Sequence, residues 1–433
     1  MNEELFRSEF AGRKILVWGY GREGKSSCAL IHACCPEMIV DVADSSMKSD
    51  EDCQQNNSSI RFLKESAIDF FSYDLILKSP GIVMPDHLSA LHVSSQTQLF
   101  LKHFAPMTIG VTGTKGKSTT ASLIAAALSE QRHVHLVGNI GIPCFDAVLD
   151  IKPDDLIVFE ISCHQLQYTT YSPHIAVFLN LFEEHLDHYG SFEAYGNAKD
   201  QIFLHQKKND VLIIHKDLQD RAPASADMIL IRKDVYAEQK TLHIPGRTLQ
   251  VDKCALVGSH NYDNLAVAYY IASTLYHIDD AAFLDACADF RPLAHRLEDL
   301  GEFHDIRFVD DSISTIGQSC ISALQALPET DTVLIGGMDR GIEYNELEEY
   351  LYGRNDLHII FMYDSGHRIY DEMQKKGMLQ QAYLCNDLLE AVELAKKITA
   401  KHRTVLLSPA ASSYDHFKNF EERGDRFHGY AAL

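Results

Sequence analysis

Short apolar runs of four or five residues recur along this chain, separated by longer stretches whose apolar positions return every three or four residues. Runs at 14–18, 75–78, 156–159 and 175–179 predict strands in the first part of the chain, and a β-branched run beginning at Thr108 predicts another. Runs at 306–309, 332–335, 358–362 and 404–407 predict a second series, with helices between them such as 318–327 and 387–399. Strands alternating with helices imply an α/β fold built on parallel sheets. Residues after Val211 read as short strands and turns, and a helix rich in Ala and Tyr follows the 258–264 stretch. Composition becomes ordinary near 101–106, where a linker is expected, and Arg291 to Arg296 looks like a second junction. The chain thus divides into three predicted domains, 1–103, 104–292 and 293–433.

With 433 residues, two or three domains are the natural expectation. An apolar content of 46% and a charged content of 23% fit a folded globular chain. No apolar run approaches the length of a membrane span, and residues 1–10 carry no secretory pattern. A net charge of −22 argues against nucleic acid or an anionic membrane as the main partner, though not against phosphate-bearing substrates. Ten cysteines lie scattered without zinc-type spacing, which reads as reduced thiols in a cytoplasm; Cys163 falls beside a candidate site but reads first as a buried structural thiol.

The strongest chemical signal follows the run at Thr108. Thr112-Gly113-Thr114-Lys115-Gly116-Lys117-Ser118-Thr119 turns from a strand directly into an Ala/Leu-rich helix. Backbone N–H groups of such a turn, with the positive end of the helix, cradle phosphate oxygens. Lys117 reaches the terminal phosphates and the Ser118 hydroxyl is placed for magnesium. The strict pattern wants glycine where Val111 stands, so this is a compact variant; the competing reading is an ordinary glycine-rich turn.

Other polar residues fall at predicted strand ends. Gly19-Tyr20-Gly21-Arg22-Glu23-Gly24 is a G-x-G-x-x-G turn after the first strand, with Asp41 and Asp44 about 20 residues on, and Ser79-Pro80-Gly81 follows another strand of the same segment. Alone, that turn predicts a dinucleotide site, but what it recognises is a diphosphate. Glu160 ends one strand, and Asn180, Glu183, Glu184 and His185 follow the next. A strand-terminal acid beside a phosphate loop holds magnesium directly or through water, or else is a loop carboxylate without special role. His185 either joins that site or satisfies backbone. Lys199 shares a helical apolar stripe with Phe192, Tyr195, Ile202 and Phe203. An ammonium there either snorkels to water or points into the site. Three of the last four predicted strands end in Asp310-Asp311-Ser312, Gly336 to Arg340, and Ser408 to Ser413.

Taken in order, these motifs make the chain resemble the Mur ligase family, ATP-dependent amide-bond-forming enzymes of peptidoglycan precursor synthesis. The resemblance spans essentially the whole chain and adds Gly138-Asn139-Ile140-Gly141, Glu160 to Gln165, His260-Asn261-Tyr262-x-x-Asn264, His295-Arg296, Leu407-Ser408-Pro409 and the closing run Phe417 to Gly424. It implies Rossmann-like first and last domains around a central phosphate-loop ATPase-type domain. It also implies UDP-N-acetylmuramoyl-L-alanine and glutamate as substrates, ATP and two magnesium ions, a monomer, and an acyl phosphate intermediate reached by domain closure.

By resemblance Gly19, Tyr20, Gly21, Arg22, Asp44, Ser79 and Gly81 cradle the uridine diphosphate, with Asp41 an alternative to Asp44. Asn139 and Gln165 approach the muramoyl-alanine; Asn264 contacts adenine, Arg296 the phosphates and Asp311 the ribose. Glu160 and His185 serve magnesium, and Lys199 is carbamylated into a further metal-holding anion. Thr315, Arg340, Ser413 and Phe420 match positions that grip glutamate carboxylates, Arg340 replacing a common lysine. The 417–424 run favours the subgroup that adds D-glutamate, whereas the 18–24 turn and the 311–315 run are similar to one that adds L-glutamate. Competing readings are a nucleotide-binding switch without ligase activity, a nicotinamide-dependent dehydrogenase, and a folylpolyglutamate-synthase-like enzyme.

Overall fold

The computed structural model describes residues 2–45, 59–88, 90–223, 227–254, 256, 259–291 and 294–433. Gly258 and the Pro292-Leu293 part of the second junction lie outside the described residues. Two compact units are present: residues 1–254 with 260–290, and residues 255–259 with 291–433.

The first unit carries two parallel sheets. The smaller has the order β3-β2-β1-β4, from β1 (Ile15–Trp18), β2 (Val40–Ala43), β3 (Ile60–Leu63) and β4 (Leu75–Lys78). The larger has the order β10-β9-β8-β5-β7-β6. Its strands are β5 (Thr108–Thr112), β6 (Val134–Gly138), β7 (Leu156–Glu160), β8 (Ile175–Phe178), β9 (Val211–His215) and β10 (Met228–Ile231), again all parallel. A small antiparallel sheet, β11 (Tyr236–Glu238), β12 (Thr241–Ile244) and β13 (Arg247–Gln250), completes the unit. One apolar cluster reaches from Ile15, Val17 and Val42 of the smaller sheet to Ile157, Phe159 and Phe178 of the larger, which explains why the two form a single unit. Phe6 of the helix Asn2–Phe10 packs edge-on against Phe145, 5.4 Å between ring centres.

The stretch expected to be a linker is instead structured. Residues 101–104 lie in the helix Gln96–Phe104, and a turn of 3₁₀ helix covers Ala105–Met107. The helix starts on Ser95, whose hydroxyl accepts the Gln98 N–H at 3.1 Å, and it buries Leu99, Phe100, Leu101 and Phe104 at helical spacing. Composition alone missed a nine-residue helix whose apolar face is part of the shared cluster.

The second unit is one sheet, order β14-β15-β19-β16-β17-β18. Its strands are β14 (Glu298–Phe303), β15 (Ile306–Asp310), β16 (Thr330–Ile335), β17 (His358–Met362), β18 (Ala382–Cys385) and β19 (Thr404–Leu407). Only β14 runs antiparallel to its neighbour. Val309, Val333, Ile335, Phe361 and Leu406 face one helical layer, while Phe308, Leu334, Ile360, Val405 and Leu407 face the other. Burial on both faces is why these strands read as unbroken apolar runs.

Leu101 is fully buried, so Leu101→Ala is expected to lower the unfolding free energy by roughly 2–5 kcal/mol. Urea unfolding of the two proteins measures this; an unchanged midpoint would mean that the 96–104 helix carries no core.

Candidate functional site

In the smaller sheet, strand order reverses between β1 and β4, and the loops after both strands meet there. The Ser79 N–H donates to the Trp18 carbonyl at 2.8 Å and its hydroxyl to the Gly19 carbonyl at 3.2 Å. A Cβ on Gly24 would lie 2.0 Å from the Gly19 carbonyl oxygen, so the helix Arg22–Cys34 can begin this close to β1 only with glycine there. A Cβ on Gly21 or Gly81 meets nothing within 4 Å, leaving both backbones open to a ligand. An Asp44 carboxylate oxygen accepts the Tyr20 N–H at 2.7 Å and so steadies the turn. Asp41 is committed elsewhere: it pairs with Arg61 at 2.7 Å and accepts the Tyr73 hydroxyl at 2.7 Å. Of the two candidate acids, only Asp44 bonds to the turn.

The larger sheet repeats the arrangement. Its order reverses between β5 and β8, the position where open α/β sheets bind ligands at strand carboxyl ends. The phosphate loop leaves β5 and turns through Gly116 at φ 83°, a left-handed conformation that favours glycine, into the helix Lys117–Ser129. Asn180, just beyond β8, clamps this loop. Its Oδ1 accepts the N–H groups of Thr114 and Lys115 at 3.1 and 2.8 Å, and its Nδ2 donates to the Lys115 carbonyl at 3.0 Å. Lys115 also pairs with Glu184 at 2.5 Å, and the Lys117 Nζ donates to the Thr114 carbonyl at 2.9 Å. Asn264 stands over the loop: a Cβ on Gly116 would come within 3.0 Å of its Oδ1. Ser118 and Thr119 are buried in the first helical turn.

Glu160 ends β7 one strand away, in register with Val111 of β5. Its side chain is fully buried; Oε1 accepts the Asn139 Nδ2 at 3.1 Å, and Oε2 has no hydrogen-bond partner among the described residues. A carboxylate oxygen buried beside a phosphate loop without a donor fits a divalent cation of oxygen preference. Gln165 bonds the Ser162 N–H at 2.8 Å and the Glu23 carboxylate at 2.8 Å, joining this region to the first glycine turn. Arg22 makes a second link, donating to the Gly141 carbonyl.

Lys199 lies in the helix Phe192–Leu204, capped by Ser191, with its side chain almost wholly buried. Its Nζ donates to the Gly113 carbonyl at 2.8 Å and sits 4.9 Å from the centre of the Tyr195 ring. Burial, reinforced by repulsion from Lys117, pushes its pKa down to about 7. The ammonium does not snorkel to water; it points under the phosphate loop. Phe192, expected on the same stripe, is instead 41% exposed, because at the first position of the helix it falls outside the packed layer. His185, at φ 56°, places its ring 5.9 Å from Tyr195 and 4.8 Å from His164.

In the second unit the carboxyl ends of β15, β19 and β16 adjoin. Burial raises the Asp311 pKa to about 7, while its carboxylate accepts the Ser314 and Ser408 hydroxyls at 2.5 and 2.8 Å and feels the Arg296 charge. Buried Arg423 ties these loops together, donating to the carbonyls of Ser312 at 2.7 Å and Ala411 at 3.0 Å. The Ser312 hydroxyl donates in turn to the Phe420 carbonyl at 2.8 Å. Ser413 is buried, Thr315 and Phe420 are half-buried, and Arg340 is exposed beyond β16. Two structural residues carry more than their motifs suggested. Asn180 reads in the sequence as a polar strand end opening a family-like run over 180–187, and Arg423 as one letter of the closing run, with neither bond implied.

Residues 111–272 match the family model described as the Mur ligase middle domain. The chain is 32% identical to a UDP-N-acetylmuramoyl-L-alanine–L-glutamate ligase from Salinispora tropica, over 97% of both chains. It is equally 32% identical to a UDP-N-acetylmuramoylalanine–D-glutamate ligase from Streptococcus agalactiae, over 96% of both. Among solved structures, its fold is similar to a MurF ligase from Thermotoga maritima in complex with ADP, with a TM-score of 0.59 at 18% identity over 98% of this chain and 96% of that one. A UDP-N-acetylmuramate–alanine ligase from the same organism gives 0.60 at 19%, over 96% and 98%.

Asn180→Ala removes a clamp of three hydrogen bonds on the phosphate loop. It is expected to weaken binding of a fluorescent adenine nucleotide about tenfold, the effect of losing roughly 1–3 kcal/mol of loop order. Titration by fluorescence anisotropy checks this, and unchanged affinity would remove the clamp from the site.

Proposed function

This chain belongs to the Mur ligase family, a family of ATP-dependent ligases, and we propose that it joins D-glutamate to the alanine carboxylate of UDP-N-acetylmuramoyl-L-alanine. The single observation that carries the site reading is Lys199, buried beneath the Gly113 carbonyl and within electrostatic reach of Lys117 and Glu160. The first glycine turn takes the uridine diphosphate, with Gly19, Tyr20, Gly21, Arg22, Ser79 and Gly81 around it and Asp44 bracing Tyr20. Asn139 and Gln165, between that turn and Glu160, serve the muramoyl-alanine end. ATP lies on residues 113–119 with Asn264 at the adenine; Arg296 and Asp311 of the second unit take the phosphates and the ribose. Thr315, Arg340, Ser413 and Phe420 hold glutamate. A monomer in the cytoplasm completes the reading.

Ser118, Glu160, His185 and Lys199 would hold magnesium. When bound, the metal supplies positive charge to the phosphates and lowers the barrier to phosphoryl transfer. Near pH 7 a large share of Lys199 is the neutral amine, whose lone pair can attack dissolved carbon dioxide. A C–N bond forms, one C=O π bond becomes the carboxylate, and a proton leaves to solvent. The resulting carbamate replaces a buried ammonium by an anion suited to a cation site.

The chemistry has two steps. The alanine carboxylate attacks the γ-phosphorus of ATP and ADP departs, giving an acyl phosphate, while the Lys117 ammonium offsets charge on the transferred group. The glutamate amine then attacks the acyl carbon, loses a proton, and phosphate leaves with the C–O bond electrons. Exclusion of water matters because the acyl phosphate hydrolyses readily.

L-glutamate is the second reading, favoured by the relative from Salinispora tropica at the same identity. Phosphate release is expected only with ATP, UDP-N-acetylmuramoyl-L-alanine and glutamate together, and faster with D- than L-glutamate. Release with L-glutamate alone reverses the stereochemistry, release from ATP without either substrate favours a nucleotide switch, and silence with both enantiomers rejects the assignment. Lys199→Ala is expected to lower kcat on the order of 100-fold or more, unrelieved by bicarbonate. Near-normal turnover in that variant would defeat the carbamate.

A further inference from the structure

Beside the phosphate loop stands a group of three side chains, of which the ligase reading uses His185 and leaves the other two without a role. The helix Cys163–Leu166 begins on Ser162, whose hydroxyl accepts the Gln165 N–H. Cys163 is its first residue and His164 its second. One ligand atom each from Cys163, His164 and His185 lie within 4.8 Å of one another. Cys163 is buried, His164 half-buried and His185 exposed, so the group is closed on its sulfur side and open to solvent on its imidazole side. Tyr189 fixes the His164 ring: the rings stack at 5.4 Å and 9°, and the Tyr189 hydroxyl lies 3.1 Å from Nδ1. A held imidazole of this kind is what a metal-ligating histidine requires.

One thiol and two imidazoles are borderline-soft donors. They suit zinc far better than magnesium, which prefers oxygen. Tetrahedral zinc with sulfur and nitrogen bonds of about 2.3 and 2.0 Å needs donor separations of about 3.3–3.7 Å. The donors must therefore close by at most about 1.5 Å, a shift that side-chain rotation can supply. Water on the open side completes four-coordination, as in zinc sites with three protein ligands.

We propose that Cys163, His164 and His185 form a zinc-class site that captures His185 and thereby inhibits the enzyme. Binding releases the Cys163 thiol proton to solvent as the S–Zn bond forms, with no change in oxidation state. The coordination itself stands independently of any catalytic role. Inhibition rests on the ligase reading, in which His185 serves magnesium, since one imidazole lone pair cannot hold two ions.

Cobalt(II) is the direct probe. Titrated into the full-length chain under reducing conditions, it is expected to give a thiolate-to-cobalt charge-transfer band and tetrahedral ligand-field bands that saturate at one equivalent and are displaced by zinc. Cys163→Ser should abolish the charge-transfer band, and His164→Phe should weaken cobalt binding at least tenfold; neither residue belongs to the proposed catalytic set. A band that is missing in the native chain, or that persists in Cys163→Ser, overturns the site. Should Cys163→Ser not fold, His164→Phe decides by the same titration.

In the second arm, zinc is added to the phosphate-release assay at saturating magnesium. Half-inhibition is expected to move at least tenfold to higher zinc in both variants. Equal inhibition in native and variant chains places zinc elsewhere and overturns the inhibitory role. If the chain proves to release no phosphate with either glutamate, the ligase reading and the inhibitory role fall together, while the cobalt bands still decide the site.

Discussion

A lysine side chain buried under the phosphate loop is the constraint around which the first unit is arranged. Removing an ammonium from water costs several kcal/mol unless polar partners replace the lost hydration. Lys199 has two such partners, the Gly113 carbonyl and the face of Tyr195, and the loop must keep its course for the first to exist. Tyr195 is held in turn, its hydroxyl 3.1 Å from that of Thr114, which also accepts the Phe182 N–H at 2.9 Å. The loop, the strand-end segment after β8 and the helix bearing Lys199 therefore settle together. Residual cost remains as a lowered proton affinity, with the pKa pushed down to about 7.

The same topological device serves twice in that unit. In each parallel sheet the strand order reverses once beside a glycine turn, and a neighbouring strand delivers a polar residue onto that turn. Ser79 closes on Gly19 as Asn180 closes on Thr114 and Lys115. Reversal leaves a crevice because the helices that follow the two strands depart to opposite sides. Backbone N–H groups of such turns suit phosphate locally, so a net charge of −22 does not by itself exclude anionic ligands.

Much of this was legible in the residues. Strands buried on both faces announce themselves as apolar runs, and 75–78, 358–362 and 404–407 have the bounds read from sequence. The phosphate loop was legible because few residue types can make that turn. Missed features depend on partners distant in sequence. Asn180 lies 65 residues from Lys115, and Arg423 lies 111 from Ser312, so neither bond leaves a local pattern. The linker expected near 101–106 overlaps the end of the 96–104 helix for another reason: composition does not register Ser95 as a cap or the helical spacing of Leu101 and Phe104.

Stereochemistry of the incoming amino acid is a different kind of question from family membership. Relatives named for D- and for L-glutamate share the same 32% identity with this chain, because identity averages over the whole fold whereas a chiral centre is distinguished by a few directed contacts. In the second unit the loops after β15 and β19 are fastened by Arg423 to fixed backbone carbonyls, so a side chain such as Thr315 or Ser413 is presented from a rigid base. A guanidinium buried this deeply, its pKa pushed down to about 10 by desolvation, is costly to maintain unless loop position matters. Selectivity between mirror-image substrates needs that rigidity more than binding does: a loop free to shift by an ångström could accommodate either enantiomer.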